Sequence, residues 1–370
     1  MFDRQDLRAA VEADVISTDV AARLEAFLIG RSDPAGTADP ESLRFLANFN
    51  DIFITIGIVI LAIGLTATTG IIFGPSAATA LGEGSVSMAG IMVLLPVAGA
   101  MWLLMEYFCG RRRLLLPSMA LAAIFTLYAG LSVGLFASGL SNIQDANIES
   151  FFDAWETLGN AGIATFLGGM AAAGAIYARF RLPFSLFLLA VSLAGAVYTF
   201  AGFFGDIGLI IGGLGALLVG LATLVCAIVF DASDPNRATR RSDNAFWLHL
   251  AAAPQIIFGL RGMISGSSLT DPGPVEAVMI ILVLVAFGAL SLALNRRALI
   301  VSGLLTFSLA LTTIVSSLGG GVTTTLIVTT LLLGTGILLL GGGWKTARRM
   351  LLTVLPRSGV AGRLFPPEPA

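Results

Sequence analysis

The stretch IFITIGIVILAIGLTATTGIIF, residues 52–73, carries no charged side chain and no proline. About 20 apolar residues in a helix are enough to cross the roughly 30 Å hydrocarbon core of a bilayer. The stretch therefore predicts a transmembrane helix. The residues before it are polar and lack the basic start and short apolar run of a secretory signal, so we expect this helix to stay in the membrane.

The composition extends this prediction to the whole chain. Of its 370 residues, 56% are hydrophobic and only 12% are charged, and the mean hydropathy is +0.91. An average soluble protein has about 25% charged residues. We therefore expect an all-α polytopic membrane protein with about ten transmembrane helices, which leaves no room for a large soluble catalytic domain.

Apolar windows bounded by charges divide the chain into three parts. The pattern predicts a cytoplasmic helical hairpin and linker over residues 1–37, a transmembrane helical bundle over 38–343 and a basic cytoplasmic tail over 344–370. The predicted spans are residues 52–73, 89–108, 114–136, 158–177, 184–203, 207–230, 246–263, 278–294, 298–317 and 326–340. Only Phe204, Gly205 and Asp206 separate spans five and six, which predicts a tight helical hairpin.

The distribution of arginine gives the orientation. All cations are arginines except Lys345, and short cytoplasmic loops are enriched in both residue types. With the N-terminus inside, every cation except Arg261 lies in a cytoplasmic tail or loop, whereas the outer loops carry carboxylates. Both termini are therefore predicted to be cytoplasmic.

The N-terminal tail has the pattern of a short helical hairpin. Val20, Leu24 and Leu28 follow the capping residues Ser17, Thr18 and Asp19 at helical spacing. Such a hairpin either packs against the membrane or docks a cytoplasmic or membrane protein partner. In the C-terminal tail, the cations within residues 344–355 predict an anchor on the anionic inner leaflet.

Three segments resemble uncharacterised bacterial "predicted membrane protein" families with a domain of unknown function. They are ADVISTDVAARLEAFL at 13–28, FLANFNDIFITIGIVILAIGL at 45–65 and SDNAFWLHLAAAPQIIF at 242–258. The resemblance implies a multi-pass protein of the bacterial cytoplasmic (inner) membrane. It implies no activity, so no catalytic residue can be carried over.

Spans one and six begin alike. FNDIFITIG at 49–57 and FGDIGLIIG at 204–212 share Phe, Asp, Ile, Ile and Gly at the same offsets, and Pro96 and Pro254 lie in the span that follows each. An offset of five spans would invert the second copy, so the pattern favours a 5+5 inverted repeat of the kind found in secondary transporters. The alternative is chance similarity between two apolar stretches, since prolines are common in membrane helices.

Polar groups within the predicted spans are candidates for function, because burying them in a bilayer is costly. Pro-interrupted helices add backbone groups that need a partner. The candidate residues for a solute or proton site are Pro96, Glu106, His249, Pro254, Gln255 and Arg261.

Each ionisable candidate also has a structural interpretation. Glu106 can form a salt bridge at the membrane boundary, and His249 can be a hydrogen-bonded interfacial histidine. Arg261 either pairs with an outer carboxylate (Asp206, Asp271 or Glu276) or binds an anionic solute or lipid headgroup.

Other positions predict packing and helix starts. Asp51 and Asp206 are expected to cap spans one and six, because a carboxylate is favoured at a helix N-terminus. Small residues recur at every fourth position of span six and predict a flat face for close helix packing, within the chain or in a homodimer. They are Gly208, Gly212, Ala216 and Gly220.

The sequence carries no HExxH motif, no Cys and His cluster, no phosphate-binding glycine loop and no Ser-His-Asp set, and it has one histidine. We therefore expect no enzyme, no metal, no cofactor and no nucleic-acid partner. Two functions remain. One is a small-solute or proton-coupled secondary transporter, and the other is a non-transporting scaffold or sensor that recruits a partner through its N-terminal hairpin.

Overall fold

The computed structural model describes residues 49–80, 86–140, 159–234, 239–265, 274–294 and 321–354, with single positions between 11 and 24 and between 308 and 315. Within these ranges the chain is helical apart from short turns. The α-helices are α1 (Phe49–Ala80), α2 (Val86–Met105), α3 (Leu115–Leu140), α4 (Gly159–Phe180), α5 (Phe184–Ala201), α6 (Gly208–Ala232), α7 (Arg240–Ser265), α8 (Pro274–Leu294) and α9 (Val322–Val354).

Helices α1 to α6 are each long and apolar enough to cross a membrane. Among the described residues, these six meet that criterion, and they correspond to the first six predicted spans. Large apolar side chains such as Ile63, Leu103 and Val225 point outward and are exposed. A helix with apolar side chains on all sides is suited to the lipid interior. Its backbone N–H and C=O groups form hydrogen bonds within the helix and need no water. The prediction of an all-α membrane protein with several spans is confirmed for these six helices.

The remaining predicted spans are described only in part. Helix α7 covers span seven but begins six residues earlier, at Arg240, with a polar first turn. Helix α8 covers span eight, and α9 contains span ten and continues to Val354. Most of span nine, residues 298–317, lies outside the described residues. The count of ten spans therefore stays a prediction.

Helices that follow each other along the chain pack together. Helices α1 to α4 share an apolar core in which Met101 and Met105 of α2 are fully buried. The Trp102 ring lies 5.1 Å from the Phe125 ring of α3 and 5.4 Å from the Phe180 ring of α4. Helix α5 connects this group to α6 and α7, and α8 and α9 follow. Short connections favour such neighbour packing because little chain is available to cross the bundle.

The predicted hairpin between spans five and six is present. A 3₁₀ segment, Gly202–Ile207, joins α5 to α6, and Gly205 within it has φ 58° and ψ −131°. Glycine adopts this backbone conformation without steric cost because it has no Cβ atom. Asp206 therefore lies in the turn, whereas Asp51 lies in the first turn of α1 and is buried.

The C-terminal cations do not all lie on the surface. Arg348 is buried, with 4% of its surface exposed, and its Nε donates a hydrogen bond to the Leu292 carbonyl at 3.0 Å. Leu292 lies in the last turn of α8, where carbonyls lack helical partners and favour a cation. Arg348 thus caps α8 from α9 and does not face outward as an inner-leaflet anchor would.

Residues Met1–Ser42 and Pro367–Ala370 form a unit of their own. The Ser17 side chain accepts a hydrogen bond from the Val20 amide at 3.4 Å, as a residue that caps a helix does. Val15, Val20 and Leu24 are exposed. The rest of the predicted hairpin lies outside the described residues.

Candidate functional site

Helices α6 and α7 meet backbone to backbone. A Cβ atom on Gly213 would lie 2.6 Å from the Met263 amide nitrogen, and one on Gly259 would lie 2.4 Å from the Leu217 amide nitrogen. Neither position can accept a side chain without moving the opposite helix. Small residues permit such close approach between membrane helices, where dispersion contacts are the main attraction.

The predicted small-residue stripe of span six is divided between two neighbours. Gly208 and Gly212 face Ala201 and Tyr198 of the α5 segment, whereas Gly220 faces α7. Ala216 is buried. Four residues advance a helix by about 400°, so a four-residue repeat turns by about 40° at each step and cannot stay on one face. The α7 glycines that complete the contact, Gly259 and Gly262, were missed, although their spacing is visible in the sequence.

A buried histidine joins α6 and α7 near the end of α6. His249 Nε2 lies 2.8 Å from Asp231 Oδ2. His249 is fully buried, and 13% of the Asp231 side chain is exposed. A carboxylate in the last turn of a helix is disfavoured by the helix dipole unless it has a partner, and the imidazole is such a partner. Asp231 was not among the predicted site residues, and its place at the end of a span was the available signal.

Several buried polar atoms of α7 have no hydrogen-bond partner among the described residues. They are His249 Nδ1, Asn244 Oδ1 and both side-chain amide atoms of Gln255. Each such group costs about 1–3 kcal/mol unless water or a bound solute satisfies it. The Gln255 Cβ packs against Gly220 of α6, so the amide is held at the same helix contact as the histidine.

A second polar contact ties α7 to α4. The Asn244 amide nitrogen donates to the Tyr177 hydroxyl at 3.1 Å. The Arg181 guanidinium lies over the Tyr177 ring, 5.6 Å from its centroid. Asn244, His249 and Gln255 are spread over about 16 Å of α7, at 1.5 Å of rise per residue, and His249 lies on a different side of the helix from the other two.

The two prolines do not come together. Pro254 lies within α7, partly buried beside Gln255, and α7 packs against α5, α6 and α8. Pro96 lies within α2 and is exposed, and α2 packs against α1 and α3. A site shared by the two proline-containing helices has no support in this arrangement.

Glu106 lies in an ion pair at the end of α2. Its Oε1 and Oε2 accept hydrogen bonds from Arg179 Nε and Nη2 of α4, both at 3.0 Å. The Arg179 side chain is 61% exposed. Glu106 begins a π-helical turn, Glu106–Arg111, that leads into the turn before α3. Its partner Arg179 lies on α4, two residues after Tyr177, which bonds Asn244 of α7.

Arg261 lies near the C-terminal end of α7 and is partly buried. The side chains of its predicted partners Asp206, Asp271 and Glu276 lie outside the described residues. Within the described part of the chain, no three His, Cys, Asp or Glu side chains are placed to hold a metal ion.

Comparison of the chain with family models, with curated proteins and with solved structures found no match. The resemblance to uncharacterised bacterial membrane protein families therefore stays a prediction.

Proposed function

We propose that the protein is a ten-span protein of the bacterial inner membrane that moves protons, alone or together with a small solute, through a site on α6 and α7. The observation that carries the proposal is the fully buried His249 beside Asp231. Histidine is the side chain whose ordinary titration lies closest to neutral pH. A buried titratable pair inside a bundle of apolar helices is characteristic of proton relays.

The pair is suited to accept a proton. If a neutral His249 donates from Nε2 to an ionised Asp231, the pair carries one negative charge, and Nδ1 is an acceptor. A proton on Nδ1 makes the pair neutral overall, which reduces the cost of burying charge between two apolar helices. The proton on Nε2 is assigned here from the hydrogen bond it makes.

Gln255 extends the site into the membrane. It lies six residues beyond His249, about 9 Å further along α7. Its amide offers both a donor and an acceptor at a buried helix contact, and Pro254 beside it removes one backbone hydrogen bond of α7. A water molecule or a polar group of a solute could satisfy these atoms.

The test is charge movement by the full chain in vesicles. A pH jump applied to proteoliposomes on a solid-supported membrane should displace charge when the site takes up a proton. His249→Gln and Asp231→Asn should each reduce this signal by about a hundredfold. This is the lower end of the range expected when a positioned proton-transfer group is removed. Asp243→Asn, which alters an exposed carboxylate on the same helix, is the matched control and should keep the signal. Equal signals from all four proteins would contradict the proposal.

A second function has its own supporting observation. The direct backbone contact of α6 with α7 at Gly213 and Gly259 holds these helices rigidly together. Such packing favours a scaffold or sensor that transports nothing and recruits a partner, or a second copy of the chain, through residues 1–37. Deletion of residues 1–37 distinguishes the two functions. A transporter should keep its charge movement, whereas a scaffold should lose its partner in a pull-down.

The 5+5 inverted repeat belongs to the transporter proposal. It is supported by the matching sequence at the starts of α1 and α6 and by one proline in each following helix. Two observations weigh against it: Asp51 lies inside a helix whereas Asp206 lies in a turn, and Pro96 and Pro254 differ in exposure.

A further inference from the structure

Three helix connections meet at one end of the described bundle. They are the turn from α2 to α3, the turn from α4 to α5 and the start of α7. The Glu106 ion pair with Arg179 joins the first two. The Asn244 bond to Tyr177 and the Trp247 ring, 4.8 Å from the Phe184 ring, join the third to them.

Exposed arginines cover this end. We call the set the basic end, and its members are Arg111, Arg112, Arg113, Arg179, Arg181, Arg240 and Arg241. The first five lie at the boundaries of the apolar spans Gly90–Arg111, Leu115–Ala137, Ala161–Phe180 and Phe184–Gly205. Because each turn directly follows a membrane-length helix, the guanidinium groups lie at the depth of lipid headgroups.

The carboxylates at this end already have partners, and they are fewer than the arginines. Glu106 pairs with Arg179, Asp231 bonds His249, and Asp234 accepts hydrogen bonds from the Thr239 amide and hydroxyl at 2.9 and 2.7 Å. Asp243 is exposed in the first turn of α7. The α2–α3 turn with its three consecutive arginines thus carries the largest excess of positive charge in this part of the structure.

Aromatic and apolar side chains lie directly beneath these arginines. Arg112 Nε donates to the Tyr107 hydroxyl at 3.2 Å, and its guanidinium lies 5.8 Å from the centre of that ring. Tyr107, Leu103 and Leu115 are exposed large apolar side chains on the adjoining helices. The cation is suited to the phosphate of a phospholipid, and the exposed apolar surface is suited to its acyl chains.

Two of the arginines have a backbone conformation that favours glycine. Arg113 has φ 55° and Arg181 has φ 54°, each in the turn after a helix. For a residue with a Cβ atom this conformation is unfavourable. The chain thus accepts strain to place a cation at the tip of both turns. A cation near a helix C-terminus also stabilises the helix dipole. Glycine at positions 113 and 181 would avoid the backbone strain, and the neighbouring arginines could still interact with the dipole.

We propose that the basic end binds the phosphate headgroup of an anionic phospholipid such as phosphatidylglycerol. Arg111, Arg112 and Arg113 contact the phosphate, with Arg181 on the adjoining turn, and the acyl chains lie along Leu103, Tyr107 and Leu115. The inference requires the proposed membrane location but not a transport activity. Basic clusters at the ends of membrane helices bind anionic lipids with about 1 kcal/mol per cation.

The test is native mass spectrometry of the full chain in detergent, titrated with phosphatidylglycerol and, separately, with the zwitterionic lipid phosphatidylethanolamine. Replacing Arg111, Arg112 and Arg113 together with Gln should lower the phosphatidylglycerol affinity by about a hundredfold. The same change at Arg4, Arg8 and Arg23 removes equal charge from the N-terminal tail and should leave the affinity unchanged. Equal losses in both triple variants, or no preference of the unmodified protein for phosphatidylglycerol, would overturn the proposal.

A single substitution tests the same site by a gain. Glu106→Gln removes the partner of Arg179 and should raise phosphatidylglycerol affinity by roughly fivefold, given about 1 kcal/mol for one cation. This variant stays informative if the triple change prevents folding or insertion, and no increase would count against the site. Glycerophosphoglycerol, which has the phosphodiester headgroup of phosphatidylglycerol without acyl chains, should compete poorly. Equal competition by this soluble compound would mean that the site binds free phosphate esters and not lipid.

Discussion

Single glycines decide how closely α6 and α7 approach each other. Gly259 lies against the Leu217 backbone, and Gly213 lies against the backbone of Gly262 and Met263. A methyl group on either would meet main-chain atoms, which cannot turn aside as a side chain can. The contact therefore depends on the absence of two Cβ atoms.

We expect Gly259→Ala to destabilise the protein. Overpacking of a close contact costs about 1–3 kcal/mol, so the Tm in detergent should fall. Gly64→Ala is the control because nothing lies within 4 Å of its Cβ position in α1. The control should leave the Tm unchanged or raise it slightly, because alanine favours a helix. A Tm for Gly259→Ala equal to that of the control would show that the helices are not in this contact.

The Asp231 and His249 pair should couple in stability. Asp231→Ala leaves a fully buried imidazole without this partner, which should lower the free energy of unfolding by about 1–3 kcal/mol. The double variant His249→Leu and Asp231→Ala should lose less free energy of unfolding than the two single variants lose together. In each single variant one buried polar side chain is left without its partner, whereas the double variant removes both. Ser233→Ala, an exposed residue of the turn after α6, is the control. Additive effects in the cycle would mean that the two side chains do not interact.

Among the connecting elements, the α5–α6 turn depends on one backbone angle. Gly205 has φ 58°, whereas Gly202 in the same 3₁₀ segment has φ −57°, and nothing lies within 4 Å of the Cβ position of either. The two glycines therefore differ in conformation and not in the space around them.

Gly205→Ala should lower the free energy of unfolding by about 1–3 kcal/mol, the cost of a backbone conformation that residues with a Cβ atom rarely adopt. Gly202→Ala should be neutral or stabilising. Thermal unfolding of both variants, followed by circular dichroism in the same detergent, measures the difference. If both alanines had the same effect, the positive φ at Gly205 would not be the controlling feature.

The helices also show which sequence patterns were reliable. The lengths and positions of spans one to six follow from apolar windows, because a helix that must satisfy its own backbone in lipid leaves a continuous apolar run. The start of α7 was less visible, since Arg240, Arg241 and Asp243 precede its apolar part. The hairpin at Gly205 was predictable because the two spans left only three residues between them.

For the molecule as a whole, the prediction is a ten-span topology with both termini inside. Single cysteines that replace Asn142, Asn236 and Ser267, in a chain whose Cys109 and Cys226 are replaced by Ser, would report the side of three loops. A membrane-impermeant maleimide added to intact cells should label positions 142 and 267 and leave 236 unlabelled until the cells are broken. Labelling of 236 from outside would reverse the orientation.

The amino-acid pattern alone establishes that this chain is a multi-helix membrane protein and where its first six spans lie, because lipid burial imposes an apolar run of fixed length. It also identifies His249, Gln255 and Glu106 as rare polar groups. Their partners emerge only from the packing of the helices. Asp231 of α6 contacts His249 of α7, and Arg179 of α4 contacts Glu106 at the end of α2. These pairs depend on how each helix is rotated about its own axis and on the angle at which two helices cross. The length of an apolar span does not determine that rotation. The sequence therefore could not show that His249 belongs to a buried pair and Glu106 to an exposed one.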